Sequence, residues 1–167
     1  MRGRGTDTRV QCEGLRVVRA AEAHLEALLV MVGTSAEGPG WPTTVWRRLL
    51  APDEGAAEQK IVWLATDAGG SIAGWLAANH VLDRSELEFV LVRGEERGRG
   101  VGLRLAEHWL QWAREQGARE AWLEVRASNT AAIGLYRELG FAEQGRRRRY
   151  FREPAEDAVL MGLTLRI

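Results

Sequence analysis

Apolar and polar residues follow two different spacings along this chain, and each spacing predicts one type of element. Short apolar runs with β-branched or aromatic members, which are typical of strands, occur at residues 15–19, 61–66, 71–79, 86–92, 121–126, 141–151 and 158–165. Apolar residues at helical spacing occur at residues 20–31, 41–50, 101–116 and 131–139.

The connections between these elements indicate how the strands pair. Asp67-Ala68-Gly69-Gly70 is typical of a hairpin turn between two neighbouring strands. The helix over 101–116 joins strands 86–92 and 121–126, and a helical crossover makes two strands parallel. The pattern therefore predicts an α+β fold with a mixed central sheet of about seven strands, flanked by about four helices.

This fold is expected to form one domain over residues 15–167. Residues 1–14 are polar and glycine-rich, and we expect a disordered leader there. Residues 52–59 are predicted as a loop, residues 80–85 as a link between strands, and 153–157 as a turn. Gly145 is expected to interrupt its strand.

A glycine-rich segment between strand 86–92 and the next helix carries the clearest chemistry. Arg97-Gly98-Arg99-Gly100-Val101-Gly102 leads directly into the helix. Glycines allow positive φ and close approach of the backbone, and the free N–H groups of a helix N-terminus attract phosphate. No Lys-Ser/Thr follows, as a Walker loop would require. A dinucleotide-binding oxidoreductase is disfavoured because Leu103 and Leu105 replace the third glycine. A plain surface loop stays an alternative.

Composition and charge limit the range of possible binding partners. The formal net charge is zero and Cys12 is the single cysteine, so no internal disulfide forms and a reducing cytoplasm is expected. The leader lacks the apolar region of a secretory signal, and no apolar run is long enough to span a bilayer. No spacing typical of metal ligands occurs, so we expect no metal and no direct nucleic-acid partner.

Three residues after the crossover are candidates for a second site. Alternation along strand 121–126 puts Glu124 on the face opposite Leu123, and a carboxylate there either lines a cleft as a general base or pairs with Arg126 or another arginine. Tyr136 on the following helix is a proton donor or a packing tyrosine. Asn129 is a ligand contact or only an N-cap.

The pattern R-x-x-G-x-G over Arg97–Gly102 resembles the acyl-CoA pyrophosphate loop of the GNAT N-acetyltransferases. The segment W-L-E-V-R-A-S-N-T-A-A-I-G-L-Y-R-E-L-G-F over 122–141 resembles, within that family, the bacterial ribosomal-protein-alanine N-acetyltransferases. Trp41, Trp46 and residues 156–161 fit the same resemblance, which spans roughly 15–165.

The resemblance implies acetyl-CoA as co-substrate, direct transfer in a ternary complex, and an acceptor that is the N-terminal amine, alanine first, of a small-subunit ribosomal protein. Glu124 would accept the proton of the amine and Tyr136 would protonate the departing thiolate. The implied acetyl-CoA contacts are Val90, Leu91, Val92, Gly98, Arg99, Gly100, Val101, Gly102, Leu103 and Asn129. A GNAT enzyme acting on lysine or a small amine, and a non-catalytic acyl-CoA-binding module, stay open as alternatives.

The chain departs from the family pattern at three places. Arg93-Gly94 stands where the family has Asp-Pro, Pro42 replaces a serine, and the family's Arg-Arg-Asn-Tyr-Tyr is here Arg-Arg-Arg-Tyr-Phe over 147–151. The arginines of 146–149 either alternate into solvent on an exposed strand or form a basic rim that attracts an acidic partner.

Overall fold

In the computed structural model, which describes residues 14–51, 55 and 57–166, seven strands and four α-helices are present. The strands are β1 (Arg16–Arg19), β2 (Glu58–Thr66), β3 (Ile72–Val81), β4 (Arg84–Val92), β5 (Glu120–Arg126), β6 (Ala142–Arg152) and β7 (Ala155–Thr164). The helices are α1 (Leu25–Gly33), α2 (Thr43–Leu50), α3 (Val101–Glu115) and α4 (Thr130–Glu138). Two 3₁₀ turns, Glu22–His24 and Gly94–Glu96, precede α1 and α3.

The strands form one sheet in the order β1-β2-β3-β4-β5-β7-β6. Strands β4 and β5 are parallel, as the crossover through α3 predicts, whereas β1 with β2, β5 with β7 and β6 with β7 are antiparallel. The predicted mixed sheet of seven strands with four helices is therefore confirmed.

Several predicted boundaries are wrong. The link predicted over 80–85 is only a two-residue connection, because β3 runs to Val81 and β4 starts at Arg84. Leu82 adopts a φ of 57° in this connection, which is a left-handed conformation. The sequence does not predict it, because no glycine or asparagine stands at this position. The helix predicted from residue 20 begins as a 3₁₀ turn, and β2 starts three residues earlier than expected.

The chain packs as two compact units. The first takes its described residues from 1–52, 61–77 and 89–108, and the second from 53–60, 78–88 and 109–167. Fully buried Trp46 and Trp75 centre the first core, and fully buried Trp109 and Met161 belong to the second. The predicted leader over 1–14 lies, apart from Gly14, outside the described residues.

Within the described part of the chain, none of the helices combines the length and the apolar composition needed to cross a bilayer.

Candidate active site

The glycine-rich loop of the first unit has the backbone conformation that its sequence predicts. Gly98 and Gly100 have φ values of 73° and 84°, which L side chains rarely adopt. Helix α3 begins at Val101, so Val101, Gly102 and Leu103 form its first turn and their N–H groups lack carbonyl partners within the helix. A Cβ at Gly98 would meet no heavy atom within 4 Å. The backbone of the loop is therefore open to an anion at Gly98.

Two arginines of this loop are held by carboxylates. Arg97 Nη2 lies 2.9 Å from Glu37 Oε2, and Arg97 Nε lies 3.4 Å from the carbonyl oxygen of Val92. Arg99 Nη1 lies 3.0 Å from Glu96 Oε2. Because all four charged side chains except that of Glu96 are more than half exposed, these pairs add little stability and leave the arginines able to exchange partners.

The end of β4 supplies the other predicted acetyl-CoA contacts of the first unit. Leu91 is buried, and Val90 and Val92 are half-buried. The parallel pairing of β4 with β5 begins with Arg84 opposite Glu120 and ends with Leu87 opposite Leu123. Strand β4 continues beyond this pairing to Val92.

A cavity of about 560 Å³ adjoins this end of β4 within the first unit. Leu91, Val92 and Arg93 line it on one side, and residues of α1 and of the segment after it line the other. The apolar strand end therefore borders a space large enough for a ligand.

The second unit contains Glu124 in a cavity of its own. Along β5, Ala121, Leu123 and Val125 are buried while Trp122, Glu124 and Arg126 are half-buried, which confirms the predicted alternation. The half-buried face borders a cavity of about 640 Å³. Its lining is Asn79, Arg84, Glu86, Leu87, Glu88, Trp122, Leu123, Glu124, Arg147, Tyr150, Phe151 and Leu160.

Glu124 is held by partners on β6. Arg147 Nε lies 2.8 Å from Glu124 Oε1, and the Glu124 side chain is 22% exposed. A hydrogen bond to the Glu124 carboxylate raises the pKa of the Tyr150 hydroxyl, and the negative charge adds to this effect. The predicted alternative partner, Arg126, pairs instead with Glu156 at 3.5 Å.

The arginine run of β6 is exposed from Arg146 to Arg149. The predicted interruption at Gly145 is wrong, because β6 is continuous from Ala142 to Arg152. Register shifts do occur within it, between Glu143 and Gly145 and between Arg147 and Phe151. Arg146 pairs with Glu143 at 2.8 Å, whereas Arg147 borders the cavity of Glu124.

Helix α4 positions the other two candidates of the second unit. Asn129 Oδ1 accepts the N–H of Ala132 at 3.1 Å, so Asn129 is the N-cap of α4. Tyr136 is 4% exposed, and its ring packs edge-on against Phe141 with the centroids 5.9 Å apart. Burial raises the pKa of the Tyr136 hydroxyl well above its usual range, so the phenol holds its proton at neutral pH.

Sequence reasoning missed Arg147 and Tyr150 as neighbours of Glu124. Residues three apart on a regular strand face opposite sides of a sheet, so only the register shift, which the sequence does not announce, places both beside one carboxylate.

Comparison with known proteins identifies the protein family to which this chain belongs. The profile of the acetyltransferase (GNAT) family matches residues 20–141. The chain therefore belongs to the GNAT acetyltransferases, as its glycine loop and the 122–141 segment predict.

Similarities to individual proteins are more specific than the family match. The ribosomal protein bS18-alanine N-acetyltransferase of Escherichia coli (strain K12) is 39% identical over 98 residues, which cover 58% of this chain and 66% of that protein. The N-alpha-acetyltransferase RimI of Mycobacterium tuberculosis is 32% identical over 143 residues, 83% of this chain and 82% of that protein. The crystal structure of the ribosomal-protein-S18-alanine N-acetyltransferase from Escherichia coli has a TM-score of 0.76 at 28% identity, covering 92% of this chain and 95% of that one. These similarities confirm the predicted GNAT-like α+β fold and the predicted resemblance.

The residues present fit the acetyl-CoA that this family implies. The first turn of α3 offers unpaired N–H groups to a pyrophosphate, Gly98 leaves the approach open, and Leu91 and Val92 border a cavity.

Proposed function

We propose that this chain is an acetyl-CoA-dependent Nα-acetyltransferase that modifies the N-terminal amine of a protein, with alanine as the first residue. A small-subunit ribosomal protein is the proposed acceptor, since the similar protein and the similar crystal structure from Escherichia coli are named for alanine acetylation of ribosomal protein bS18 or S18. The observation that carries the proposal is the half-buried Glu124, which borders a cavity and lies in the segment over 122–141 on a GNAT fold.

The first unit would bind the co-substrate. Acetyl-CoA supplies an acetyl group activated as a thioester. In this proposal Gly98 to Leu103 bind its pyrophosphate through backbone N–H groups, and the backbone at Val90, Leu91 and Val92 binds the pantetheine arm. Asn129 Oδ1 accepts a hydrogen bond in the N-cap, and its amide nitrogen can donate to the cofactor.

The second unit would move the protons. An N-terminal ammonium has no free electron pair, so a base must remove one proton before the nitrogen attacks the thioester carbonyl. Glu124 accepts that proton, directly or through a water. The new C–N bond forms and the C–S bond breaks. The thiolate leaves with the electron pair of the C–S bond, and the nitrogen releases its second proton to solvent.

Tyr136 would act on the leaving group. Because burial raises the pKa of its hydroxyl, full ionisation inside the protein is costly. The phenol therefore stabilises the departing thiolate chiefly by donating a hydrogen bond, and the thiolate takes up a proton from solvent as CoA leaves.

Transfer to defined peptides tests the proposal. The chain is incubated with acetyl-CoA and an alanine-initiated peptide that contains lysine, and product is located by mass spectrometry. We expect acetylation of the α-amine, lost when the α-amine is blocked and kept when the lysines are blocked.

The alternatives give different results. Loss of transfer only when the lysines are blocked would place the chain among lysine acetyltransferases. Transfer to free amines alone would indicate a small-molecule enzyme. Acetyl-CoA binding without release of CoA to any acceptor would indicate a binding module and overturn the proposal.

A further inference from the structure

Arg147 and Tyr150 of the second unit flank the candidate base. Arg147 Nε lies 2.8 Å from Glu124 Oε1. Tyr150 lines the same cavity as Glu124, and the carboxylate raises the pKa of the Tyr150 hydroxyl. The Arg147 guanidinium carbon lies 5.4 Å from the centroid of the Tyr150 ring, within the range of a cation–π contact. Arg147 therefore contacts both Glu124 and Tyr150.

The register shift in β6 creates this group. Arg147 pairs with Ala158 and Phe151 pairs with Glu156, so three residues of β6 stand opposite the single residue Asp157 of β7. Arg149 takes a φ of 49° in this bulge, and its N–H donates to Asp157 Oδ1 at 2.9 Å. Without the bulge, residues 147 and 150 would point to opposite faces of the sheet.

We infer that Arg147 and Tyr150 are positioning residues for Glu124: they hold its carboxylate in the orientation from which it takes a proton from the acceptor amine. The inference rests on the proposed function of Glu124 as base. The Glu124 side chain is 22% exposed, so it is partly open to the cavity while its Oε1 is fixed by Arg147.

The physical reason is loss of torsional freedom. A glutamate has three side-chain torsions, and on a cavity wall an untethered carboxylate would populate several rotamers. The ion pair with Arg147 and the nearby Tyr150, both supplied by one bulge, restrict that choice. Misplacing a reacting group by about 1 Å can cost up to about 10²-fold in rate, and the contribution of a general base is roughly 10²–10⁴-fold.

A double-mutant cycle tests whether Arg147 acts through Glu124. The variants are Arg147→Gln, Glu124→Gln and both together, with Arg152→Gln, an exposed arginine on the same strand, as the matched control. The assay uses the amine that the wild-type chain acetylates, so a different acceptor class leaves this test intact.

We expect Arg147→Gln to lower kcat roughly tenfold, a part of what a general base contributes, with an unchanged KM for acetyl-CoA. Arg147→Lys, which keeps the charge but not the planar guanidinium, should recover part of the loss. In the Glu124→Gln background, Arg147→Gln should change the rate by less than about twofold, because coupled residues are not additive. Arg152→Gln should match wild type.

Tyr150→Phe gives a second measurement if Arg147→Gln folds poorly, because it deletes only the hydroxyl. Its effect should likewise disappear in the Glu124→Gln background. Full activity of both Arg147→Gln and Tyr150→Phe would overturn the inference while leaving the proposed function intact. Arg147→Gln losses in kcat of equal size with Glu124 and with Gln at position 124 would also overturn the inference. A higher kcat for Arg147→Gln than for wild type would overturn it too, because the guanidinium would then compete with the substrate ammonium. A wild-type chain without transferase activity would overturn both proposals together.

Discussion

The indole Nε1 of Trp109 donates to the hydroxyl of Ser85 at 2.9 Å, and that hydroxyl donates onward to the carbonyl oxygen of Asn79 at 2.6 Å. Ser85 and Trp109 are both fully buried. The chain of hydrogen bonds links α3 to the β3–β4 hairpin inside the second unit, the unit that contains Glu124. A buried indole N–H usually has an acceptor, and the Ser85 hydroxyl supplies it for Trp109.

Ser85→Ala is expected to destabilise the fold by about 1–3 kcal/mol, because it leaves the buried N–H of Trp109 without its acceptor. Chemical denaturation followed by tryptophan fluorescence measures the change. Ser71→Ala, at an exposed serine of the β2–β3 turn, is the matched control and should stay within about 0.5 kcal/mol of wild type. Equal stability of the two variants would show that Trp109 finds another partner.

Gly102→Asp is expected to weaken acetyl-CoA binding at least about tenfold, or about 1.4 kcal/mol, because it places a negative charge beside the proposed pyrophosphate site. The same charge favours the first turn of α3, so the fold should be kept. Isothermal titration of the variant and of wild type gives the dissociation constants.

Gly102→Asn separates charge from size in that experiment, since asparagine and aspartate have nearly the same shape. Asparagine should weaken binding less than aspartate does, and the difference should shrink for acetyl-pantetheine, which has no pyrophosphate. Equal binding by Gly102→Asp and Gly102→Asn would place the pyrophosphate elsewhere.

Glu156 is expected to make the stability of the fold depend on acid pH. Hydrogen bonds from Ser128, one of 2.6 Å from its backbone N–H, lower the pKa of the Glu156 carboxyl, and Arg126 lowers it further. Because the folded-state pKa lies below the unfolded value, the contribution is fully present above the unfolded pKa and is lost as the pH falls through the folded pKa.

Denaturant unfolding of wild type and Glu156→Gln between pH 7 and about pH 3 measures this linkage. The wild type should be the more stable at neutral pH, and the difference should narrow steadily in acid. Glu138→Gln, at an exposed carboxylate on α4, is the control. A difference independent of pH would show that Glu156 acts through packing and not through its charge.

Local sequence patterns predicted the parts of the fold that depend on local physics. The alternation along β5 assigned Leu123 to the core and Glu124 to the other face because a strand has a side-chain period of two. The glycines of the α3 loop were predictable because φ values of 73° and 84° are rarely open to other residues. The parallel pairing of β4 and β5 followed from the crossover helix.

The remaining features depend on contacts far apart in sequence. Leu82 and Arg149 adopt left-handed backbone conformations although neither residue favours them. The short β3–β4 connection and the bulge in β6 could therefore not be predicted from turn-forming residues in the sequence. The partner of Glu124 was open for the same reason: Arg126 is nearer in sequence, yet the bulge brings Arg147 to the carboxylate. Ser85 was assigned to a link and not to the core.

Glu124→Gln is expected to lower kcat/KM by roughly 10²–10⁴-fold, the usual contribution of a general base, because the amide keeps the shape of the side chain and cannot accept the proton. The acidic limb of the pH–rate profile should flatten, and the dissociation constant of acetyl-CoA should stay unchanged. Steady-state kinetics across pH, with titration of acetyl-CoA, measure all three quantities. Near-full activity with an unchanged acidic limb would make Glu124 a structural partner of Arg147.

Tyr136→Phe addresses the leaving group in the same assay. Removing a buried hydroxyl keeps the packing on Phe141, so the fold and the binding of acetyl-CoA should be retained while kcat falls. If Glu124 and Tyr136 act on different bonds, the Tyr136→Phe loss should persist in the Glu124→Gln background, in contrast to the loss expected for Arg147→Gln. A thioester with a more acidic thiol needs less help to leave, so it should reduce the Tyr136→Phe defect and leave the Glu124→Gln defect in place. Equal rescue of both variants by such a thioester would contradict the separate roles and assign both residues to one step.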